Sequence, residues 1–208
     1  MCRTASTKRA SSPNTATQGT EPAPLDRTPA MSCRKSRAFL QGDMRMAAST
    51  LARRMARLEA IADVSQLVGR YAHGADRRND PALMAPLFSR DAVWEAGGFG
   101  RHEGRDVIAA QLARIGTEQI VWSLHYMTAP VIEIDDALRN GRCRWHLWEL
   151  AQIRQGHDVA EPPAAYWIGG EYDSRVVIEE GQWCFQSVFL DLRLIHRHDA
   201  AWLPRPST

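Results

Sequence analysis

Ile120-Val-Trp-Ser-Leu-His-Tyr-Met-Thr-Ala-Pro-Val-Ile-Glu-Ile134 is the stretch on which the fold turns. Val121, Ser123, His125 and Met127 fall on one face, with Ile120, Trp122 and Leu124 on the other. That two-residue period is a strand's and not a helix's. Three more extended runs follow at 142–153, 164–178 and 182–196, separated by a loop at 156–163 and by the turn Glu179-Glu-Gly181. Asp135-Asp136 and Asn140-Gly141 both carry turn chemistry, and either suits the first hairpin.

The chain before Ile120 has a different period. From about Ala48, the residues Leu51, Met55, Leu58, Ile61, Val64, Val68 and Tyr71 recur at the spacing of an amphipathic helix that fails near Gly74. Asp80-Pro81 is an N-cap and N1 pair for a short second helix reaching Phe88, with Leu83, Leu87 and Phe88 as its buried face. Residues 91–95 and 99–102 read as two short strands around Gly97-Gly98. Residues 104–115 form a third helix stopped by Gly116, with Val107, Ile108, Leu112 and Ile115 facing the core. Helices first and four long strands afterwards specify an α+β fold: a curved antiparallel sheet with three N-terminal helices on its concave side, forming a cone.

Composition sets the limits. Residues 1–47 are rich in Ser, Thr, Pro, Ala and Arg, and too poor in patterned apolar residues to offset their ordering entropy. They are expected to be a disordered extension, or to follow a start codon upstream of the natural one at Met44, Met46 or Met55. The folded domain is expected at 48–199 and a flexible tail at 200–208. A net charge of +2 argues against nucleic acid or a membrane surface as partner. No apolar run approaches the ~20 residues that span a bilayer. Cys2, Cys33, Cys143 and Cys184 show no paired spacing, which argues against a disulfide framework or zinc site and for a reducing cytoplasm.

Chemistry is concentrated where the first helix ends, in Tyr71-Ala-His-Gly-Ala-Asp76. His125 follows Asp76 by 49 residues (125 − 76) on the cone-facing side of its strand. Taken singly, a strand histidine is usually structural and a helix-end aspartate usually a cap. Together they make a proton-transfer pair: an imidazole titrates near neutrality, and a carboxylate on its other nitrogen fixes the tautomer. Trp94 is expected to line the cone, with Met127 beside His125, Phe189 sharing a face with Arg193, and His146 as a second pocket histidine. His196-x-His198 reads as a solvated strand end and not a metal site.

Tyr71-x-x-x-x-Asp76, Leu87-Phe88-x-x-Asp91-Ala-Val-Trp94, Gly100-x-x-x-Gly104-Arg-Asp-x-Ile108 and Gly181-x-Trp183 together resemble the SnoaL-like branch of the nuclear transport factor 2-like superfamily over roughly residues 58–195. Its members include scytalone dehydratase, bile acid 7α-dehydratase, hexachlorocyclohexane dehydrochlorinase and ketosteroid isomerase. The resemblance implies that Asp76 and His125 match a catalytic dyad and Tyr71 a substrate-binding tyrosine. Arg193, or alternatively Arg175, matches a late-strand arginine. It implies a lyase or isomerase needing no metal or organic cofactor, acting on a small hydrophobic substrate and assembled as a homodimer or homotrimer. It equally admits a non-catalytic ligand-binding or oligomerisation module, or a small accessory subunit of a ring-hydroxylating dioxygenase.

Overall fold

The computed structural model describes residues 32–154 and 162–199. The chain divides into two units, 1–45 and 46–208. Of the first, the described part is the beginning of helix α1 (Ser32–Asp76), whose helical backbone starts well before the expected Ala48. The expectations for residues 1–31 and 200–208 lie outside the described residues. Everything below concerns the second unit.

After α1 come a one-turn helix α2 (Pro81–Met84), strands β1 (Phe88–Ala96) and β2 (Gly100–Glu103), and helix α3 (Arg105–Arg114). Strands β3 (Ile120–Ile134), β4 (Asn140–Ile153), β5 (Ala164–Glu179) and β6 (Gln182–Arg197) complete the order. The six strands form one curved, open sheet in the order β2-β1-β6-β5-β4-β3, and every pairing is antiparallel except β1 with β6, which run parallel. The first hairpin closes through Asp135, whose carboxylate accepts from the Arg139 amide and the Asn140 side chain. Asn140-Gly141 therefore belongs to β4.

Local chemistry accounts for the elements around the site. Asp80 caps α2 by accepting from the Ala82 amide at 2.9 Å, as its pairing with Pro81 predicts. That helix ends after one turn, however, and passes through a 3₁₀ turn into β1, so Phe88 begins a strand. Met84, not Leu83, is its buried residue. In α3, Ile108, Ala109 and Leu112 pack inward, while Val107 is half exposed. A π turn (Ile115–Gln119) then delivers the chain to β3.

One face of α1 lies on the concave side of the sheet. Val64, Leu67, Val68 and Tyr71 are buried among Phe88, Trp145, Val176, Phe185 and Val188. Trp145 stacks on Tyr172 with ring centres 4.8 Å apart, and Tyr71 meets Phe88, Phe185 and Tyr172 edge-on. Such pairs add about 0.5–1.5 kcal/mol each beyond area burial. Upstream on the same helix Leu51, Met55 and Leu58 are exposed, so the periodic apolar stripe is longer than the core it feeds. Arg57 ties this stretch to the first hairpin by donating to the Ile134 carbonyl at 2.8 Å and to Asp136. At the sheet's other end, Arg105 donates to the Phe88 carbonyl and to Glu179, fixing the start of α3 against β1 and β5. Among the described residues, no helix is long and apolar enough to cross a membrane.

The end of α1 is held from outside. Arg78 and Asn79 reverse the chain in the left-handed conformation, and the backbone of Arg78 lies directly against Gly116. A Cβ at Gly116 would sit 2.3 Å from the Arg78 carbonyl oxygen, so one of the two backbones would have to move. We expect Gly116→Ala to cost about 1–3 kcal/mol, the usual range for overpacking, in urea unfolding. A change within about 0.5 kcal/mol would show that this approach is not under constraint.

Candidate active site

The end of α1 carries Tyr71 on its buried face and, five residues on, Asp76 as its final residue. Strand β3 brings His125 opposite Asp76, and a single oxygen, Asp76 Oδ1, accepts from both the backbone amide and the Nδ1 of His125, each at 2.8 Å. The Asp76 side chain is 24% exposed and that of His125 10%. With its proton on Nδ1, neutral His125 keeps the Nε2 lone pair for the interior.

Strand β4 adds a group that the sequence reading passed over. His125 and Glu149 are direct partners in the β3–β4 register, and Glu149 Oε2 lies 3.4 Å from His125 Nε2. Glu149 is only 4% exposed, and its Oε1 has no hydrogen-bond partner. The signal was present: Cys143, Trp145, Leu147, Glu149 and Ala151 alternate along the buried face of β4, and one carboxylate stands in an otherwise apolar set. Burying such a group without compensation is costly, so its persistence calls for an explanation.

These side chains border an interior cavity of about 50 Å³, lined also by Tyr71, Tyr172, Trp94 and Ser123. Trp94 Nε1 donates to the Tyr71 hydroxyl at 2.8 Å, and Tyr71 is also hydrogen-bonded to Tyr172. Burial pushes Tyr71 up to about 12 and Tyr172 well above its ordinary value, so both remain neutral phenols throughout the physiological range. Burial also raises Glu149, against the pull of the neighbouring His125. For His125, burial opposes the cation, but Glu149 together with the hydrogen bond and charge of Asp76 outweighs it, and the net shift is upward.

The structure therefore brings Tyr71, Asp76, His125 and Trp94 together and places the other candidates elsewhere. Arg193 is the extra residue of a bulge, where Gly169 and Gly170 of β5 pair with Leu194 and Leu192. Leu190 and Leu192 face the cavity, while Arg193 points out to Asp191 and Glu171. Arg175 is likewise on the outer surface. Phe189 is 45% exposed, because a second bulge near Ser187 breaks the alternation that buries Phe185 and Val188. His146 lies between inward-facing Trp145 and Leu147 and so faces outward. Met127 packs against the core, where its sulfur accepts from Trp145 Nε1, and it does not line the cavity. Sequence reasoning missed Tyr172 as well as Glu149.

A family model described as a SnoaL-like domain matches residues 56–188. Comparison with curated proteins gives no match. Among solved structures, the chain is similar to a hexachlorocyclohexane dehydrochlorinase, LinA-type3, from Novosphingobium barchaimii LL02, at 18% identity and a TM-score of 0.63, covering 73% of this chain and 99% of that one. It is similar to a candidate scytalone dehydratase from Novosphingobium aromaticivorans DSM 12444, at 20% identity and 0.56, covering 70% and 92%. A nuclear transport factor 2-like superfamily protein from Salmonella enterica serovar Typhimurium matches at 16% and 0.56, covering 65% and 92%. At such identities the likeness establishes the fold alone.

The electrostatics make a checkable statement. His125 is raised above its unfolded value of about 6.5, so its contribution to stability is fully present below about pH 6.5 and is lost as pH rises through the folded value. Asp76→Asn keeps an oxygen for the two hydrogen bonds but removes the charge. In that variant the His125 titration, followed by NMR, should move to lower pH. The variant's stability deficit should be larger near about pH 6 than near about pH 9. An unmoved titration would mean that Asp76 exerts no field on the ring.

Proposed function

The chain belongs to the SnoaL-like domain family, and on that footing we propose that it is a cofactor-independent lyase or isomerase of the dehydratase or dehydrohalogenase type, acting on a small hydrophobic substrate. One observation carries the reading: the 2.8 Å contact between Asp76 Oδ1 and His125 Nδ1 on the wall of an interior cavity. In this reading Asp76 holds the tautomer that leaves Nε2 basic. Nε2 then removes a carbon-bound proton, and the carboxylate stabilises the imidazolium that forms. Tyr71, held by Trp94, positions the substrate. The fold's likeness to a dehydrochlorinase and a candidate dehydratase is consistent with this chemistry and does not choose between leaving groups.

A second reading, a ligand-binding module without turnover, has the cavity's size in its favour. About 50 Å³ is room for a water or two, against about 300–1,000 Å³ for typical ligand sites, so a substrate would enter only as the lining side chains move. Turnover separates the two readings. A panel of small β-hydroxy and β-halo carbonyl compounds should be eliminated by the wild-type protein, with kcat/KM falling about 10²- to 10⁴-fold in His125→Ala and substantially in Asp76→Asn. Turnover unaffected by both substitutions would remove the dyad from the chemistry, and saturable binding without turnover would select the module.

A further inference from the structure

Resting on the lyase reading, we infer that Glu149 is a second catalytic residue, the acid that protonates a departing hydroxyl, and that the substrate is a small β-hydroxy compound in preference to a halide. Neither lysine nor arginine is among the cavity's lining residues, and Arg193, expected at the site, is turned outward. A halide departs as an anion and needs a cation or a ring of donors. Here it would depart beside Glu149 with Asp76 close behind, in surroundings that penalise negative charge. A hydroxyl that takes up a proton departs as neutral water, and such a pocket does not oppose that.

The candidate acids are few. Tyr71, Tyr172, His125 and Glu149 are the titratable groups lining the cavity, with Asp76 behind His125. Burial makes both phenols weaker acids than an ordinary tyrosine, and the Tyr71 oxygen is engaged by Trp94 and Tyr172. His125 cannot be base and acid in the same step. Glu149 remains: buried, with one oxygen beside His125 Nε2 and the other without a partner. An unpartnered buried carboxyl oxygen is accounted for when a substrate hydroxyl completes it.

The step balances. Neutral His125 takes the proton from the carbon next to the substrate's carbonyl, and the C–H electron pair becomes the new C=C bond. The C–O bond breaks with its electrons on oxygen, Glu149 supplies a proton, and water leaves. Nε2 now holds a proton 3.4 Å from the carboxylate that has just lost one, and its return to Glu149 Oε2 restores the starting state with no outside proton donor.

Leaving-group dependence tests the assignment, because a purely structural role for Glu149 would lower every activity alike. The probes are the aldol adduct of acetaldehyde with acetone and its β-chloro counterpart, which eliminate to the same pentenone. We expect Glu149→Gln to lose at least about 100-fold in kcat on the hydroxy probe, the range of general acid catalysis, while changing by less than about threefold on the chloro probe. His125→Ala loses both. Equal losses on the two probes, or none on the hydroxy probe, overturn the assignment. Infrared difference spectroscopy gives a readout free of turnover: a protonated carboxyl band near neutral pH that shifts in Glu149→Asp and vanishes in Glu149→Gln. Its absence from the wild type removes Glu149 as the acid even if Glu149→Gln fails to fold. A wild type that turns over neither probe counts against the lyase reading itself, and the band still decides separately where the proton resides.

Discussion

Two hydrogen bonds converging on Asp76 Oδ1 join the end of α1 to the first long strand of the sheet. Backbone and side chain of the same histidine are held by one oxygen, so a single carboxylate sets both the position of the strand and the orientation of the ring. The left-handed turn at Arg78 and Asn79, pressed against Gly116, fixes where that oxygen can be. Geometry at the site is therefore a property of backbone elements, and rigid elements hold catalytic groups better than loops do.

The sheet supplies the rest by register. His125 and Glu149 meet because β3 and β4 pair them directly, and cross-strand partners on one face are close neighbours. His125 therefore has a carboxyl group at each ring nitrogen, Asp76 on Nδ1 and Glu149 beside Nε2. The surrounding phenols and apolar walls make each charge within that space consequential.

Period and turn chemistry made most of this legible. Alternation identified four long strands, Asp80-Pro81 marked its helix start, and the helix-end Asp76 and the strand residue His125 could be paired across 49 residues. What failed did so at bulges. Phe189 follows a bulge between Phe185 and Ser187, Arg193 is itself the extra residue of another, and one extra residue reverses every later side chain. Nothing in the local sequence of β6 announces those positions. Glu149 was a different kind of miss, because its alternation was regular and only its charge was out of place. The parallel pairing of β1 with β6 could not be read at all, since each strand is locally ordinary and their meeting is a matter of topology.

That parallel pairing bears on the order of assembly. Phe88 meets Phe185 across 97 residues (185 − 88), so the strand carrying Trp94 stays unpaired on that side until β6 has been made. The hairpins β3–β4 and β4–β5 close over short distances and can form early, whereas joining β1 must wait for the far end of the domain and must overcome the entropy of a long loop. The placement of Trp94 at the cavity thus depends on the strand pairing of greatest sequence separation in the sheet.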